Sequence, residues 1–541
     1  MTEHFCADAA YTPTSTSAPL PHLHHRRVGG LRALTRPLHW GGAIDVRNTN
    51  KVLTSLIAER DDCVCWIRSE GSLAADSPSL VGWGRVMTLT SSGADRTESL
   101  RTQWRNVIGR SQWEDTVSRP GTGPLSFGTI TFSPNSSEDS ILVIPEVIVG
   151  CDAMGYWLTV LEILREDSLD IADTSRSCDS NKRDAFSPCR FSDDDAQSAY
   201  QRDTTASASD SLAARWACVA HDINSALTSG TFSEITDAMP VNQYSKVSTT
   251  SMSSPGITEE SGHAINALSI YPGTLSDDEF QIAVAQATER LSAGEAVKVV
   301  LARDLQVHCP TAPTMGSLAT YLARSFPTTW TFVVDTMVGA TPELLMRLSN
   351  KHVHSRVLAG TARRGNASAA EVDTMANWLM HSSKNRREHE VASRSAVDAL
   401  EPLCAWVEAS EPFILRLPNV LHVATDVRAE VAGDTGALAL VDALHPTAAV
   451  CGTPRKDAAH LIDVLEHQDR GRYSGPVGWV DWHGEGEWCI ALRCASRVSD
   501  TEFNVWGGGG IMPDSQPRDE WEETRAKMRP MLEALAASSA R

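Results

Sequence analysis

The chain has 541 residues and a formal net charge of −20 at pH 7. A chain this acidic, without a stripe of lysine or arginine, is a poor partner for nucleic acid, and no apolar run approaches the roughly 20 residues that a membrane span needs. Its 12 cysteines are scattered and form no C-x-x-C pair, which argues against a zinc framework or a redox motif and favours reduced thiols.

The first half of the chain contains a tail, a strand-rich region and an insertion. Residues 1–28 are rich in Pro, Ser and Thr, lack the apolar centre of a secretory signal, and predict a flexible tail on a cytoplasmic protein. Strands are predicted up to about residue 164, in runs such as LVGWGRVMTL, LSFGTITF and SILVIPEVIVG. Residues 165–262, dominated by Ser, Asp and Thr, predict a largely flexible insertion with a short helix near LAARWACVAHDINSAL.

Regular patterns return after residue 263. DDEFQIAVAQATERLSAGE has apolar residues at helical spacing and leads directly into AVKVVLARDL, which predicts a strand. Later patterns predict helices at 368–402 and 516–538 and strands at 328–335, 353–358, 476–481, 487–494 and 502–506. Helices mixed with hairpin-like strand pairs predict an α+β fold rather than a doubly wound sheet.

The lysine of AVKVVLARDL lies on an apolar face of its predicted strand. Alternate side chains of a strand share a face, so Lys298 lies beside Val300 and Ala302. On these ten residues alone, a strand-end lysine that extends its amine to water is the simpler interpretation. The alternative is a buried lysine, whose pKa falls because burial disfavours the charged form, and which can act as a base near neutral pH.

Two further segments carry carboxylates in suggestive places. In GATPELLMRL, Glu343 follows Thr-Pro and is either part of a capped helix start or a general acid. In SSKNRREHE and DEWEETRAKM, Asn385 with Glu388, and Glu520 with Glu523, lie one helical turn apart and could offer oxygen pairs to Mg²⁺. Ordinary solvated helix faces are the simpler interpretation.

Two segments are rich in small residues. NVWGGGGIMPDSQP has four consecutive glycines, which indicate either a plain turn or a backbone that lets N–H groups approach an anion. LHPTAAVCGTPR has a row of small residues at 448–450, which either pack in the core or form the wall of a tight pocket.

The order of these segments, more than any one of them, resembles the chorismate-utilising enzymes, most closely the isochorismate synthases of menaquinone and siderophore pathways. The matching segments are KVVLAR, GATPELL, VLAGTARRG, SSKNRREHE, VLHVATDV, LHPTAAVCGTPR, DRGRYSGPVGW, EWCIALRCA and GGGGIMPDSQPRDEWEETRAKM. They cover about 290–530, and the insertion has no counterpart. The resemblance implies one large chorismate-binding domain over 29–541, with two similar halves of antiparallel sheet packed face to face and surrounded by helices.

The resemblance also implies a reaction, the Mg²⁺-dependent and reversible conversion of chorismate to isochorismate. Lys298 matches the base that activates water for attack at C2, and Glu343 matches the acid that protonates the departing C4 hydroxyl. Three glutamates match the Mg²⁺ ligands, namely Glu388, Glu520 and Glu523. Further positions match the substrate site, namely Gly360, Thr361, His422, Ala449, Tyr473, Arg493, Gly508, Gly510 and Lys527.

Differences among the chorismate-utilising enzymes indicate which of their reactions to expect here. Anthranilate synthases, which receive ammonia from a glutaminase subunit, usually lack a lysine where Lys298 stands, so we expect water chemistry and no glutaminase subunit. We further expect a monomer. Salicylate synthases tend to carry threonine where Ala449 aligns, so the alanine favours stopping at isochorismate. Asn385 replaces a commonly acidic residue, and residues 507–510 replace Gly-Gly-Ala-Gly, changes expected to weaken the metal site and loosen a loop. A salicylate synthase and a chorismate-binding relative with weakened catalysis are the alternatives.

Overall fold

The computed structural model describes residues 29–39, 49–69, 77–164, 208–228, 265, 267–363, 368–416 and 420–539. The predicted tail and most of the predicted insertion lie outside these residues. The described helices are α1 (Thr49–Ser55), α2 (Arg96–Ile108), α3 (Ala208–Thr228), α4 (Asp277–Ser292), α5 (Met315–Ser325), α6 (Ala369–His381), α7 (Ser383–Leu400), α8 (Ala437–Leu444), α9 (Arg455–Glu466) and α10 (Pro517–Ser539). A 3₁₀ turn covers Glu401–Leu403.

The strands form two large sheets. Their bounds are β1 (Leu31–Leu38), β2 (Cys63–Ile67), β3 (Ser79–Trp83), β4 (Met87–Ser91), β5 (Gln112–Asp115), β6 (Leu125–Thr129), β7 (Ser140–Ile144), β8 (Val147–Asp152), β9 (Gly155–Ile163), β10 (Ser269–Pro272), β11 (Lys298–His308), β12 (Trp330–Val334), β13 (Met337–Thr341), β14 (Leu344–Ser349), β15 (His352–Arg363), β16 (Cys404–Ala409), β17 (Phe413–Arg416), β18 (Val420–Val431), β19 (Gly452–Thr453), β20 (Pro476–Asp481), β21 (Gly486–Ile490), β22 (Cys494–Arg497) and β23 (Glu502–Ile511).

Sheet A has 13 strands in the order β10-β11-β23-β22-β13-β12-β2-β3-β8-β9-β1-β5, with β19 beside β11. Sheet B has 10 strands in the order β16-β18-β15-β14-β21-β20-β6-β7-β4, with β17 beside β18. Only the β1–β5 pair is parallel among the described pairs. Each sheet takes strands from both sides of the segment that separates β9 from β10. The α+β prediction is therefore confirmed.

The inner faces of the two sheets enclose the main hydrophobic core. Large side chains from sheet A, such as Trp157 and Phe332, and from sheet B, such as Phe127 and Trp488, are fully buried in one cluster. A second cluster covers the outer face of sheet A, where Leu318 of α5 and other residues of α1, α3 and α10 pack on the strands. Burying the apolar face of each element in this way supplies most of the drive for folding. No helix in the described part of the chain is long and apolar enough to cross a membrane.

The α3 helix lies within the predicted insertion and confirms the short helix predicted there. Its Leu212 and Ile223 are buried in the second cluster. Arg215 Nη2 lies 2.5 Å from Glu146 Oε2, and Trp216 Nε1 donates to the Leu158 carbonyl at 2.9 Å. This part of the insertion is therefore packed against β9 and β1 of sheet A.

A buried carboxylate joins the two sheets. Glu487 of sheet B accepts hydrogen bonds at Oε1 from the indole N–H groups of Trp66 and Trp330, both at 2.8 Å and both from sheet A. Its Oε2 accepts from the Ser77 hydroxyl at 2.7 Å. Three donors thus replace the water that this carboxylate loses, as burial of a charge requires.

Replacing Glu487 with leucine should destabilise the protein by about 3 kcal/mol or more, because three buried donors lose their acceptor. The midpoint of urea unfolding, followed by tryptophan fluorescence, measures the change. Glu487→Gln is the matched control, since its amide oxygen can still accept from both indoles while the Ser77 hydroxyl turns to accept from the amide. An equal loss in both variants would contradict the explanation.

The later predictions succeed with four corrections. The strand predicted at 487–494 is divided between two sheets, since β21 of sheet B ends at Ile490 and β22 of sheet A begins at Cys494. The strand at 296–305 and the helix that precedes it are confirmed as β11 and α4, and a capping box of Ser276 and Glu279 starts α4. The helix predicted at 368–402 is two helices, because Ser382 has extended backbone angles between α6 and α7. The glycines at 507–510 form no turn or loop and lie inside β23, paired with β11. Glu343 starts no helix, as described below.

Candidate active site

Lys298 is the first residue of β11, beside the glycines of β23. Val300 pairs with Gly510, and Lys298 itself pairs with Thr453 of β19 on the other side. A Cβ atom on Gly510 would lie only 2.8 Å from Lys298 Cε, so the absence of a side chain there gives the lysine its space. The half-buried Lys298 side chain is thereby directed by the sheet rather than by a loop.

Glu343 lies where the chain passes from sheet A to sheet B. Thr341 ends β13 in sheet A, and β14 begins in sheet B one residue after Glu343. The Glu343 N–H donates to Thr341 Oγ1 at 3.3 Å, and its carbonyl accepts from the Ile490 N–H at 3.0 Å. The predicted helix start is wrong because these residues continue between two strands instead of closing a helical turn.

The environment of Glu343 favours its protonated form. Burial raises the pKa of Glu343 to about 7, although the nearby positive charges of Lys298 and Lys527 act to lower it. Burial dominates because a carboxylate loses more hydration than the two cations replace. A carboxyl group with this pKa can hold and release a proton at neutral pH.

Lys298 and Glu343 both line one cavity of about 690 Å³. Ala448 and Ala449, from the segment that follows α8, line it too. The remaining walls come from α7, β15, the end of α8 and the segment 446–455. The cavity therefore brings together the predicted base, the predicted acid and the small-residue wall, from positions 298, 343 and 448–449 of the chain.

Lys527 of α10 connects the glycine strand with the glutamates of the same helix. Its Nζ donates to the Gly508 carbonyl at 2.7 Å and lies 2.8 Å from Glu523 Oε1. Burial lowers the pKa of Lys527, while the charge of Glu523 acts to raise it. The predicted site residues Gly508, Glu523 and Lys527 are therefore in direct contact.

Three more predicted residues surround this cluster. The Tyr473 ring is buried and stacks on Trp506 with ring centroids 5.0 Å apart. Burial lowers the pKa of Arg493, which the charges of Tyr473 and Glu523 act to raise. Burial, together with the charges of Lys527 and Arg493, lowers the pKa of His422 to about 4, so this imidazole is neutral at pH 7.

Some predicted residues are only partly described. Gly360, with φ of 77°, forms a β-bulge in β15 where the register with β18 shifts, a conformation that favours glycine. The backbone of Thr361 lies in β15, and that of Asn385 and Glu388 in α7. The side chains of these three lie outside the described residues.

Glu520 and Glu523 present carboxylate oxygens toward the same glycine. A Cβ atom on Gly509 would lie 3.1 Å from Glu520 Oε2 and 3.9 Å from Glu523 Oε1, so the two carboxylates converge there. Ser515 Oγ donates to Glu520 Oε1 at 2.7 Å and holds that carboxylate in place. Two convergent hard-oxygen donors fit Mg²⁺, which commonly uses one or two carboxylates. No group of three His, Cys, Asp or Glu side chains that could hold a metal occurs among the described side chains, which exclude that of Glu388.

The sequence patterns missed several residues that line the cavity. Arg387, Thr453, Arg455 and Met512 all contribute to its surface. Each of these residues lies inside or next to a segment for which a functional role was predicted. The sequence therefore indicated the segment but not the individual residue. Their role as wall residues follows only from the way α7, β19 and β23 meet.

A methyl group at Gly510 should displace Lys298. We expect Gly510→Ala to lower kcat by about 10²-fold, since a misplacement of roughly 1 Å at a reacting group has this effect. Steady-state kinetics on the candidate substrate measures it. Gly109→Ala is the control, because Gly109 has φ of −61° and its nearest neighbour would be the Arg105 carbonyl at 3.3 Å. Full activity in Gly510→Ala would show that Lys298 does not need this space.

Comparisons with known proteins agree on one family. The family model described as "Chorismate binding enzyme" matches residues 43–236 and 186–536. Isochorismate synthase DhbC of Bacillus subtilis is 34% identical over 271 residues, which cover 48% of this chain and 68% of that protein. Isochorismate synthase EntC of Escherichia coli K12 is 33% identical over 259 residues, which cover 47% of this chain and 66% of that protein.

Solved structures show the same fold. The menaquinone-specific isochorismate synthase MenF of Escherichia coli matches with a TM-score of 0.59 at 19% identity, over 94% of this chain and 95% of that one. Anthranilate synthase component I of Streptococcus pneumoniae matches with a TM-score of 0.57 at 17% identity, over 86% of this chain and 94% of that one. At these identities the likeness establishes the fold alone.

Proposed function

The chain belongs to the chorismate-binding enzymes, and from this membership we propose that it is an isochorismate synthase, which converts chorismate reversibly to isochorismate. The observation that carries the proposal is that Lys298, at the start of a strand of sheet A, and Glu343, in the connection between the two sheets, line one cavity, while burial raises the pKa of Glu343 to about 7. In the proposed reaction Glu343 is the acid and Lys298 the base, and both line the space that would hold the substrate ring.

Lys298 and Glu343 divide the proton transfers of this reaction. Lys298 takes a proton from water as the water oxygen forms a bond to C2 of the ring. Glu343 gives its proton to the C4 hydroxyl as the C4–O bond breaks, and the two conjugated double bonds of the ring each shift by one position, away from C2 and toward C4. The ring gains and loses one hydroxyl group, so atoms balance, and proton return from Lys298 to Glu343 through solvent restores both groups.

Cationic side chains close to Glu343 suit a substrate with two carboxylates. The charge of Lys527 acts on Glu343, although Lys527, Arg493 and Tyr473 do not line the cavity described above. Arg493 can bind a carboxylate with its planar fork, and Tyr473 can donate to the same group because burial raises its pKa far above neutral pH. Lys527 adds a positive charge at the glycine strand. Gly508 and Gly510 leave room for the substrate to approach the backbone.

We include Mg²⁺ in the proposal, with Glu520, Glu523 and the predicted ligand Glu388 as the residues that would hold it. When bound, the ion would neutralise a substrate carboxylate and fix its orientation. Ser515 keeps the Glu520 carboxylate directed toward Gly509, and Lys527 balances the charge of Glu523. Because water is the nucleophile, the proposal needs no glutaminase subunit to deliver ammonia.

Removing Mg²⁺ with a chelator should abolish activity. Ser515→Ala should raise the Mg²⁺ concentration for half-maximal binding by roughly tenfold, because Glu520 loses the hydrogen bond that orients it as a metal ligand. Isothermal titration calorimetry measures the binding directly. Ser499→Ala is the matched control, since Ser499 also donates to a glutamate, Glu502, at 3.2 Å, but on an exposed turn. Equal Mg²⁺ affinity in all three proteins would contradict the assignment.

Product analysis tests the proposed activity. Purified protein, chorismate and Mg²⁺ are incubated, and ¹H NMR follows the ring protons. We expect isochorismate to accumulate to an equilibrium mixture without pyruvate, in keeping with the alanine at position 449. Pyruvate and salicylate in place of isochorismate would identify a salicylate synthase, and unchanged chorismate would refute the proposal.

A further inference from the structure

A buried ion pair lies behind Lys298, outside the cavity. Glu466 ends α9, and Arg470 lies four residues later, beyond the left-handed residue that terminates the helix; their side chains are only 1% and 2% exposed. Arg470 Nε and Nη2 donate to the two Glu466 oxygens at 2.9 and 2.5 Å, and the guanidinium lies 4.4 Å from the centre of the Phe132 ring. Isolating such a pair from water is costly, so a buried ion pair is weak support for stability alone.

The pair occupies a gap along the edge of β11. On this edge, β19 pairs with residues 298–299 and β10 with residues 305–308. Between them no strand of the described chain covers β11, although its backbone groups there are buried and need partners. The Val300 N–H donates to the Cys451 carbonyl at 2.9 Å and fills the first position.

At the far end of the gap the Gly273 N–H donates to the Asp304 carbonyl at 3.2 Å, and side chains fill the positions at Val300 and Ala302. Arg470 Nη2 donates to the Val300 carbonyl at 2.7 Å, and Glu466 Oε1 accepts from the Ala302 N–H at 2.7 Å. Gln468 Nε2 donates to the Ala302 carbonyl at 3.1 Å. We name Glu466, Gln468 and Arg470 the edge clamp, because together they take the place of a neighbouring strand.

The same guanidinium also binds the segment that carries the cavity-lining residues Ala448 and Ala449. Arg470 Nη1 donates to the Val450 carbonyl at 2.9 Å, and Val450 directly follows Ala449. The rigid, planar guanidinium of Arg470 therefore binds β11 at Val300, two residues after Lys298. It also binds the small-residue segment at Val450, one residue after Ala449. Arginine suits this task because its donors point in fixed directions, whereas a lysine ammonium could satisfy only part of this arrangement.

We propose that the edge clamp positions Lys298 for catalysis by fixing the start of β11 against the wall at Ala448 and Ala449. This inference rests on the proposed function. Clamp residues touch no reacting atom, so they act as positioning residues through the backbone of Val300, Ala302 and Val450. Substrate affinity depends on Arg493, Tyr473 and Lys527, which other elements carry, so loss of the clamp should reduce turnover rather than binding.

The test compares Arg470→Lys with the wild type in isochorismate formation. We expect kcat to fall by about 30-fold while KM changes by less than about threefold, because the misplaced group is the base and not a binding residue. Assays run well below the melting temperature of each protein, which circular dichroism determines. The matched control is Arg119→Lys, since Arg119 also pairs with a carboxylate, Asp152 at 2.5 Å, and lies 5.1 Å from the centre of the Trp157 ring.

The control separates positioning from stability. Arg119→Lys should lose thermal stability while keeping kcat, because Arg119 contacts neither β11 nor the segment at 448–451 in any described interaction. An Arg470→Lys protein with wild-type kcat, or with a loss of kcat equal to that in Arg119→Lys, would overturn the proposal. If Arg470→Lys does not fold, Gln468→Leu removes only the bond to the Ala302 carbonyl and should lower kcat by about fivefold with KM unchanged. Unchanged kcat in that variant would likewise overturn it.

A failure of the proposed function itself would appear differently. Wild-type protein that forms no isochorismate refutes the enzymatic assignment before any variant is compared. Wild-type activity with clamp variants that keep their kcat refutes the clamp alone.

Discussion

Replacing Lys298 with alanine is expected to lower kcat for isochorismate formation by about 10³-fold, within the range that a positioned general base contributes. The fold should persist, because the backbone of β11 stays paired with β23 and the side chain is only half-buried. The measurement is the initial rate by coupled absorbance assay, with circular dichroism to verify folding. Chorismate should still bind, since its carboxylates contact other residues in the proposed site.

Two comparisons make the Lys298 result specific. Lys51→Ala removes an exposed lysine of α1 and should leave the rate unchanged. Small primary amines added to Lys298→Ala should restore part of the activity if the lost group is a base. A Lys298→Ala enzyme within tenfold of the wild-type rate would exclude this lysine as the base that activates water.

Replacing Glu343 with glutamine should lower kcat by about 10²- to 10⁴-fold, because the amide keeps the shape of the side chain but cannot give up a proton to the leaving hydroxyl. The pH profile adds a sharper test. Burial raises the pKa of Glu343 to about 7, so the protonated acid is abundant below pH 7 and is lost as the pH rises through 7. The wild-type kcat/KM should therefore decline on the alkaline side with a midpoint near pH 7.

The variant should lack that alkaline decline, since its amide does not titrate. Glu408→Gln, which changes an exposed glutamate on β16, should retain both the rate and the decline. If the alkaline midpoint near pH 7 survives in Glu343→Gln, another group is responsible for it, and Glu343 is not the acid.

Local sequence patterns predicted helices and strands well where the spacing of the apolar residues on the buried face determines the type of element. The segment 476–481 was predicted as a strand and is β20 with the same bounds, and the helix that leads into Lys298 is α4. In these cases the apolar period and the flanking turn residues agree with the tertiary structure. The resemblance to chorismate-utilising enzymes supplied the site residues, which no periodicity could identify.

The errors come from long-range pairing. A turn was one interpretation of residues 507–510 because glycine has little strand preference, yet these residues pair with β11. Glycine is needed there because added Cβ atoms would lie between 2.8 and 3.1 Å from atoms of Met528, Tyr473, Glu520 and Lys298. Thr341, Pro342 and Glu343 have the composition of a helix start, yet they join strands of different sheets. The edge clamp could not be predicted from the sequence either, since the gap it fills exists only once β10 and β19 have paired with the same edge of β11.

The pairing of β11 with β23 also bears on how the protein is made. Leu301 pairs with Gly509, about 200 residues later in the chain, so β11 leaves the ribosome long before its partner is synthesised. Contacts of such large sequence separation form slowly, and until they form β11 exposes an unpaired, apolar edge. Nascent chains stalled before β23 should therefore bind chaperones that recognise extended apolar segments, and release should coincide with the emergence of the glycine strand.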